Sequence, residues 1–260
     1  MTDAPILLRH DREGIATLTL NRPGARNALS MGLMEALDAA LAAIAADPAV
    51  RVVVLAGNGP AFCAGHDMRE MRATPTREAY RAVFALCSRL MRRIVALPRP
   101  VIARVHGAAS AAGCQLVATS DLAIASEDAR FATPGVNIGL FCSTPMVALS
   151  RAVGRKAAME MLLTGDPVDA HRAREIGLIN RVVPAEALDE AVAALARQIA
   201  GKSPLTLAIG KEAFHLQVEL DLAAAYALTA EVMTRNMLAH DAAEGIDAFL
   251  EKRPASWTGT

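Results

Sequence analysis

The sequence predicts an α/β fold in which most strands pair in parallel. Three apolar strands support this prediction, at residues 52–55, 101–105 and 122–125. Each is apolar at almost every position, which is typical of strands that are buried on both faces of a sheet. A helical pattern, or a small-residue loop that leads into a helix, separates one strand from the next. Because strands that alternate with helices usually form parallel βαβ units, we expect a mostly parallel sheet.

The N-terminal part of the chain predicts a β-hairpin and then a helix. Two apolar runs within residues 6–21 flank the polar turn Asp11-Arg12-Glu13-Gly14, which is the composition expected of a hairpin. Ser30 is a favourable N-cap for a helix that runs to about Ala46, since its hydroxyl can accept a hydrogen bond from a free N–H of the first turn.

Helical patterns cover residues 77–96 and dominate the C-terminal half. A long amphipathic helix is predicted over residues 77–96, and two prolines end it. Beyond about residue 143 only one short strand, at 179–183, interrupts the helices. We therefore expect two units, an α/β core over residues 1–200 and a C-terminal helical oligomerisation region over 201–260. The predicted helices of this half are 143–153, 155–164, 169–176, 186–200, 204–219, 221–239 and 241–253.

Composition and charge exclude several classes of function. The 260 residues include 27 basic and 27 acidic side chains, and only 3% are aromatic. No nucleic-acid partner is expected, because such surfaces need excess positive charge or stacking aromatic rings. No charge-free apolar run reaches about 18 residues, so no membrane span is expected. The zero net charge favours self-association.

Cysteine usage and the first residues indicate a cytoplasmic protein. Residues 1–5 have neither the basic nor the apolar stretch of a secretory signal. The cysteines form no C-x-x-C pair, so we expect reduced thiols and no metal site. They are Cys63, Cys87, Cys114 and Cys142.

Two familiar site patterns fail on detail. Gly57-Asn58-Gly59-Pro60 follows a strand, as a dinucleotide-binding loop does, but Phe62 occupies the third glycine position and the proline lacks an N–H for phosphate. His106, Ser110 and Asp121 could form a triad, but the serine is not in a G-x-S-x-G turn. The other histidines outside these segments fit surface or structural positions: His10, His171, His215 and His240.

Two small-residue segments, 61–68 and 106–116, are stronger candidates for a site. Each follows a buried strand and leads towards a helix, and small side chains let a ligand approach the backbone. Free N–H groups at a helix start favour negative charge. Two such groups that converge would form an oxyanion hole, and plain close packing of two backbones is the alternative.

The order and spacing of several motifs resemble those of the crotonase (enoyl-CoA hydratase/isomerase) superfamily over nearly the whole chain. Residues 135–145 are most similar to its enoyl-CoA hydratase domain-containing protein 3 branch. The motifs are Asn21-Arg22-Pro23, Arg26-Asn27-Ala28-Leu29-Ser30, Phe62 through Met68, His106 through Cys114, Ser120 through Ala125, Phe131-Ala132-Thr133-Pro134, Glu244-Gly245 and Phe249 through Arg253.

This resemblance implies a fold, an assembly and a substrate. The fold would be a spiral of ββα repeats with a C-terminal helical trimerisation region, and the assembly a homotrimer or a hexamer of two trimers. The substrate would be an acyl-CoA thioester, so no separate cofactor is expected. The backbone N–H groups of His66 and Ala112 would hold the thioester oxygen. Implied substrate-binding positions are Arg26, Ala28, Ala64, Asp67, Met68, Arg69, Cys142, Phe249 and Lys252, with Phe249 and Lys252 acting from a neighbouring subunit.

Both acidic catalytic positions implied by the resemblance are changed. The hydratases of the superfamily carry two glutamates, and the corresponding residues here are Gln115 and Gly135. A glutamine amide can orient water but does not titrate, and glycine offers no side chain. Because hydration needs a base and a proton donor, ordinary hydratase chemistry is not expected. Restoring both groups, with Gln115→Glu and Gly135→Glu, is expected to raise hydration.

Other side chains near the two segments could transfer protons. The candidates are Asp67, Glu70, Cys142 and Ser143, but simpler roles exist for three of them. Asp67 can stabilise a turn, Glu70 can lie on a solvated helix face, and Cys142 can fill the core. We expect the side chain of His66 to be exposed to water in its loop, and the alternative is that its imidazole points into the pocket.

Two functions are consistent with these residues. One is an acyl-CoA enzyme of fatty acid metabolism, a lyase or isomerase with altered acid/base groups. The two amide-bearing segments favour it, because oxyanion stabilisation is usually the largest catalytic contribution. The other is a non-catalytic acyl-CoA-binding or regulatory homologue, which the loss of both glutamates favours.

Overall fold

The computed structural model describes residues 4–260, which form a six-stranded and a four-stranded sheet. The strands in this range are β1 Leu7–Arg12, β2 Ile15–Leu20, β3 Val52–Gly57, β4 Ala61–Cys63, β5 Val101–Val105, β6 Ala108–Ser110, β7 Leu122–Ser126, β8 Arg130–Ala132, β9 Val168–Asp169 and β10 Arg181–Val183.

Helices connect the strands and dominate the second half of the chain, as predicted. Ser30 caps the first helix by accepting a hydrogen bond from Leu33 N at 3.2 Å, also as predicted. The α-helices are α1 Met31–Ala46, α2 Met68–Ala73, α3 Arg77–Ala96, α4 Ala112–Thr119, α5 Pro145–Ala152, α6 Arg155–Thr164, α7 Ala170–Glu175, α8 Leu188–Ala200, α9 Pro204–Gln217, α10 Leu222–Met237 and α11 His240–Glu251. Short 3-10 helices lie at Pro23–Ala25, Pro134–Ile138 and Ala185–Ala187.

The six-stranded sheet confirms the predicted hairpin and the predicted parallel pairing. Its strand order is β1-β2-β3-β5-β7-β10. Strands β1 and β2 pair antiparallel, and every later pair is parallel. The hairpin turn is tighter than expected, because β1 continues to Arg12 and only Glu13 and Gly14 connect the strands. Both residues have positive φ, 53° and 76°, as two-residue hairpin turns require.

Both faces of this sheet are buried at its central strand β3. Val53 and Leu55 of β3 lie in the main core, which also holds residues of α1 and α3. Val52 and Val54 point to the opposite face and pack with residues of α8, including Leu188. Alternate residues of a strand face opposite sides, so a strand covered on both sides must be apolar throughout, as β3 is.

The four-stranded sheet turns the chain into a spiral. Its order is β4-β6-β8-β9. Each of the long strands β3, β5 and β7 is followed within a few residues by a short strand, β4, β6 or β8, and then by a helix. The repeated unit is therefore ββα. The sequence did not mark the short strands, since two or three residues are too few to show an alternating pattern.

The C-terminal helical region consists of α9, α10 and α11, which pack on one another. The Lys211 side chain joins α9 to the α/β part, because its Nζ donates to Asp121 Oδ2 at 2.6 Å and to the carbonyl oxygen of Ile94 at 2.9 Å. The boundary at residue 200 stays a prediction. Among residues 4–260 no helix combines the length and the apolar character needed to cross a bilayer.

Candidate functional site

The first amide loop follows β4 and pairs with the segment before α1. Leu29 N donates to the Gly65 carbonyl oxygen at 2.7 Å, and Asp67 N donates to the Leu29 carbonyl oxygen at 3.1 Å. Together they form a parallel bridge between Leu29 and His66. In such a bridge the residue between the two bonded neighbours points its own N–H away from the partner segment. The N–H of His66 is therefore directed away from Leu29.

The second amide lies at the start of α4. Ala112 is the first residue of this helix, so its N–H has no acceptor within the helix and lies at the positive end of the helix dipole. Ala111 before it has a φ of 49°, which turns the chain sharply from β6 into α4. Gly113 is required after it, because a side chain there would collide with the carbonyl oxygen of Cys63.

The two amide loops touch at Gly65 and Ala112. Gly65 has a φ of 96°, and a Cβ atom on it would lie 3.4 Å from the Ala112 amide nitrogen and 3.0 Å from the Ser110 carbonyl oxygen. The residue before His66 thus packs directly against the backbone of Ala112, so the two donor residues lie close together. Two backbone N–H groups at one space can stabilise charge that develops on a carbonyl oxygen.

An ion pair between Arg22 and Asp67 fixes the first amide loop. Arg22 Nη2 donates to Asp67 Oδ2 at 2.9 Å, and its Nη1 donates to the Ala28 carbonyl oxygen at 2.5 Å. Asp67 also caps α2 by accepting from the N–H groups of Arg69 and Glu70. Burial alone would raise the pKa of Asp67, but the guanidinium and the N–H donors outweigh it and lower the pKa. The turn-stabilising role expected for Asp67 is confirmed.

The glycine-containing loop at residues 57–60 is closed by Asn27. This buried amide donates to the carbonyl oxygens of Asn58 and Ala61, both at 2.8 Å, and accepts from Arg22 N at 2.9 Å. These three hydrogen bonds hold the loop against the segment before α1. The expectation that this loop does not bind a dinucleotide stays a prediction.

The side chain of His66 is half-buried, so the expectation that it is exposed is wrong. Its ring packs edge-on against Phe84 of α3, with 5.6 Å between the ring centroids. Both ring nitrogens are sealed from solvent and make no hydrogen bond within residues 4–260. Burial lowers the pKa of the imidazole, and the nearby backbone of Leu29 opposes this shift. The neutral ring is therefore favoured.

Gln115 lies one turn after Ala112 and on the same side of α4. Its side chain is only 4% exposed, and its Oε1 accepts from the thiol of Cys87 in α3 at 3.8 Å. Burial raises the pKa of the Cys87 thiol to about 12, so the thiol keeps the proton that it donates. No residue in the described range accepts from Gln115 Nε2, which leaves this group for water or a ligand.

The loop after Gly135 encloses it. A Cβ atom there would lie 2.5 Å from the Leu140 carbonyl oxygen and 3.0 Å from Cys142 Sγ. The loop is closed by a hydrogen bond from Leu140 N to the Gly135 carbonyl oxygen at 2.9 Å. The structure argues against the expectation that Gly135→Glu helps to restore hydration, because a glutamate would have to push a backbone oxygen aside.

The other candidate side chains have structural partners. Cys142 is buried beside Gly135, as expected of a small core residue. Glu70 is exposed but accepts from Met31 N at 2.9 Å, so it also stabilises the start of α1. Ser143 donates to the Phe141 carbonyl oxygen at 3.3 Å.

The residues of the rejected triad are engaged separately. His106 Nε2 forms a hydrogen bond with the Gly59 carbonyl oxygen at 2.7 Å. Asp121 pairs with Lys211 and accepts from Val101 N at 2.7 Å. Their partners join the loop at residue 59, strand β5 and helix α9, so these side chains hold the fold together.

Comparison with known proteins identifies the family of this chain. A model of the enoyl-CoA hydratase/isomerase family matches residues 10–260. The chain belongs to the enoyl-CoA hydratase/isomerase family. It is 45% identical over 254 residues to "Enoyl-CoA hydratase domain-containing protein 3, mitochondrial" of Xenopus laevis, which covers 98% of this chain and 86% of that protein.

Solved structures of the enoyl-CoA hydratase/isomerase family share the fold. A crystal structure of an enoyl-CoA hydratase from Mycobacterium smegmatis is 55% identical, with a TM-score of 0.96 over 98% of this chain and 99% of that one. The human enoyl-CoA hydratase domain-containing protein 3 is 43% identical, with a TM-score of 0.95 over 97% and 100% of the two chains. The predicted crotonase fold and the resemblance to this branch are confirmed.

The structure brings most of the predicted substrate-binding positions of this family member together. Ala64 N donates to the Arg26 carbonyl oxygen at 3.0 Å, which joins the first amide loop to the segment before α1. The side chains of Arg26, Met68 and Arg69 are exposed around this junction. Their contact with a substrate stays a prediction. The positions that meet here are Arg26, Ala28, Ala64, Asp67, Met68 and Arg69.

Three predicted positions lie elsewhere in the chain, namely Cys142 beside Gly135 and the C-terminal residues Phe249 and Lys252. Phe249 is 81% exposed near the end of α11, and Lys252 follows this helix. In the described chain α11 packs mainly against α9 and α10. The predicted contact of Phe249 and Lys252 with coenzyme A therefore depends on a neighbouring subunit and stays a prediction.

Sequence reasoning missed the side chains that support the site. Phe84 covers His66, Cys87 donates to Gln115, and Arg22 holds Asp67. Phe84 and Cys87 are three residues apart in α3 and thus share a face of the helix. That spacing was visible in the sequence, but which loops the face would meet was not.

Proposed function

We propose that this protein is an acyl-CoA enzyme of the enoyl-CoA hydratase/isomerase type that polarises a thioester carbonyl with the N–H groups of His66 and Ala112. The observation that carries this proposal is the packing of Gly65 against the Ala112 amide nitrogen. It brings the two donor residues close together, which supports a shared site for a developing oxyanion or enolate.

The proposed chemistry is proton transfer at carbons near the thioester carbonyl. Removal of such a proton creates an enolate, and each well-placed N–H donor typically contributes about 10²–10³ in rate. Gln115 can orient water or substrate through its Nε2 but does not titrate. We therefore propose isomerase or lyase activity, with slow hydration of simple enoyl-CoA esters.

Two exposed arginines support coenzyme A as the carrier of the acyl group. Arg26 and Arg69 flank the first amide loop, and a guanidinium can bind a phosphate through two parallel hydrogen bonds. We propose that they contact the coenzyme A phosphates, while Ala28, Ala64 and Met68 line the path to the amide pair. Phe249 and Lys252 of a neighbouring subunit would complete this surface.

Turnover of a panel of 2-enoyl- and 3-enoyl-CoA esters tests the proposal. The conjugated thioester absorbance reports both isomerisation and hydration. We expect turnover that is lost in Ala112→Pro, which removes one N–H at the first helical position, where proline is best tolerated. The control Ala112→Ser keeps the N–H and should keep activity. Equal activity of the folded proline variant would contradict the proposal.

A second candidate is a non-catalytic acyl-CoA-binding or regulatory protein. Neither changed glutamate position offers an acid or a base, because Gln115 cannot titrate and Gly135 has no room for a side chain. Isothermal titration with the same esters separates the candidates. Tight binding without turnover across the panel supports the binding protein and rejects the enzyme.

We further propose a homotrimer, or a hexamer made of two trimers. No residue of α10 is buried in the single chain. Its residues Leu222, Tyr226, Met233 and Met237 lie on one face and are 51–74% exposed. A contiguous apolar face that is exposed in the single chain often marks a protein interface.

We propose a cytoplasmic location, which rests on the cysteine usage expected of a protein with reduced thiols. The Xenopus laevis relative is named a mitochondrial protein, so the two compartments are real alternatives. Imaging of a carboxyl-terminal fluorescent fusion in the source cell, followed by fractionation, distinguishes them.

A further inference from the structure

The imidazole of His66, a residue whose backbone N–H belongs to the proposed amide pair, has both ring nitrogens unsatisfied. Neither nitrogen has a hydrogen-bond partner in residues 4–260, and both are closed to solvent. Native proteins leave few buried polar groups unpaired, and a group that is left so is often held for a chemical task. The same residue offers its backbone N–H at the proposed oxyanion site.

Helix α3 links the ring to the other unusual position of the site. Phe84 packs on His66, and Cys87, three residues later on the same face, donates to Gln115. The imidazole and the Gln115 amide therefore lie along one side of α3. Gly65, the neighbour of His66, packs on Ala112, the residue one turn before Gln115. Direct contacts thus connect the ring, the Gln115 amide and the two donor residues.

We propose that the His66 imidazole is the proton-transfer group of this enzyme, in place of the two absent glutamates; this rests on the proposed acyl-CoA function. In the isomerisation of a 3-enoyl thioester, the neutral ring takes a proton from the α-carbon. The C–H electron pair enters a dienolate, whose oxygen accepts from the N–H groups of His66 and Ala112. The imidazolium then returns the proton to the γ-carbon, which yields the 2-enoyl thioester and the neutral ring.

The charged groups around the ring are compatible with a neutral base. Asp67 is paired with Arg22 at 2.9 Å, and Glu70 is bonded to Met31 N, so no unpaired carboxylate in the described segments holds the ring protonated. Burial raises the pKa of the Cys63 thiol to about 12, and it raises the pKa of the Cys87 thiol to about 12 as well. The charged side chains on the segments packed around His66 are Arg22, Arg26, Asp67, Arg69, Glu70 and Arg81.

Phe84 controls access to the ring. Its side chain covers the imidazole in the substrate-free protein but is 37% exposed, so it can turn outward without disturbing the core. The acyl chain then occupies the space that the Phe84 ring leaves when it turns outward. Phe84→Ala should hydrate the imidazole and raise its pKa, because burial is what lowers it. Since the neutral ring is the active form, the acid limb of the pH–rate profile should then move to higher pH.

Steady-state kinetics of His66→Gln provide the main test. This change keeps the backbone N–H but removes the titrating ring. We expect kcat to fall about 10²–10⁴-fold, the usual contribution of an acid/base group, while the dissociation constant of a non-reactive acyl-CoA is unchanged. His66→Ala should regain activity on addition of imidazole, with a rate that follows the basicity of substituted imidazoles. His171→Gln, in an exposed position of α7, is the matched control.

The outcomes separate this inference from the proposed function. Wild-type turnover that survives His66→Gln, with the same pH profile, overturns the role of the ring and leaves the acyl-CoA function intact. Loss of acyl-CoA binding in His66→Gln and His66→Asn alike assigns the ring a structural role and also overturns it. Absence of turnover in the wild type over the whole panel overturns both.

Discussion

Gly65 and Ala112 lie backbone against backbone, so that a methyl group on Gly65 would stand 3.4 Å from the Ala112 amide nitrogen. The contact joins two loops that are 47 residues apart in the chain. It depends on two features of the sequence, a glycine that adopts a φ of 96° and the short turn at Ala111 that starts α4. The proposed oxyanion site follows from this contact.

Gly65→Ala should therefore damage the site far more than its strain alone would suggest. Its Cβ would lie 3.0 Å from both Ala111 Cβ and the Ser110 carbonyl oxygen, which forces the two amide loops apart. Loss of one aligned donor predicts a fall in kcat of about 10²–10³-fold. Steady-state kinetics and thermal unfolding should be measured together.

Gly139→Ala is the matched control for that change. Gly139 also has a positive φ, 77°, but a Cβ atom there has no neighbour within 4 Å. Both variants carry similar backbone strain, of about 1 kcal/mol, and only Gly65→Ala disturbs the amide pair. Similar activities of the two variants would contradict the assigned role of Gly65.

Gln115→Glu alone should raise hydration of short 2-enoyl-CoA esters. The position is buried beside Ala112, and a carboxyl group there can exchange protons with water and substrate. We expect a gain of about 10²-fold, the lower range for an acid/base group. Gln115→Leu, which is of similar size, should give no gain. Unchanged hydration in a folded Gln115→Glu variant would contradict the assignment of residue 115 to the place of a catalytic glutamate.

Adding Gly135→Glu should cancel rather than extend this gain. A side chain at this position meets the Leu140 carbonyl oxygen at 2.5 Å, so the loop must open and the protein should lose stability. Chemical denaturation of the single and double variants measures the loss. A double variant that is as stable as Gln115→Glu and more active would show that the loop adapts.

Asp241 should make stability depend on acid pH. Its buried carboxylate accepts from Ser203 Oγ at 2.6 Å and from the N–H groups of Thr258 and Gly259. Burial alone would raise the pKa of Asp241, but these donors outweigh it and lower the pKa. The stabilisation is therefore complete above the ordinary pKa of an aspartate and is lost as the pH falls through the lower, folded-state pKa.

Asp241→Asn is the variant that measures this dependence. It should lower the free energy of unfolding by about 1.5–3 kcal/mol at pH 7, the range for a hydrogen bond to a charged group. Denaturant titrations at several pH values should show that the difference from the wild type shrinks below the ordinary aspartate pKa. A difference that is constant down to pH 3 would contradict the assignment.

Leu222→Glu with Tyr226→Glu should prevent the proposed assembly. Both side chains are more than 70% exposed on one face of α10 in the single chain, and charges there would oppose burial against another subunit. Sedimentation equilibrium should give a trimer or hexamer for the wild type and a monomer for the variant. Leu163→Glu, an exposed leucine of α6, should leave the assembly unchanged. A monomeric wild type would refute the proposed trimer.

The long elements were predictable because each carries its own pattern. Strand β3 is apolar throughout, and α3 repeats apolar residues at helical spacing up to the prolines. The short strands of the second sheet were not predictable, since three residues such as Ala108–Ser110 have no pattern of their own. They exist because the long strands place them side by side.

The site was predictable in its backbone but not in its side chains. The amide segments are recognisable by their small residues, and Gln115 and Gly135 are visible as changes. The burial of His66 depends on Phe84, and the closure of Gly135 depends on Leu140. Both are tertiary contacts, which a local pattern does not specify.

Infrared difference spectroscopy of a bound thioester tests the central claim most directly. An unreactive acyl-CoA with a ¹³C-labelled thioester carbonyl reports the hydrogen bonds to that oxygen without requiring turnover. If the N–H groups of His66 and Ala112 hold the oxygen, the carbonyl stretch should move to lower frequency on binding to the wild type, and this shift should be largely lost in Gly65→Ala but kept in Gly139→Ala. A bound carbonyl that absorbs at its solution frequency in the wild type would contradict the account.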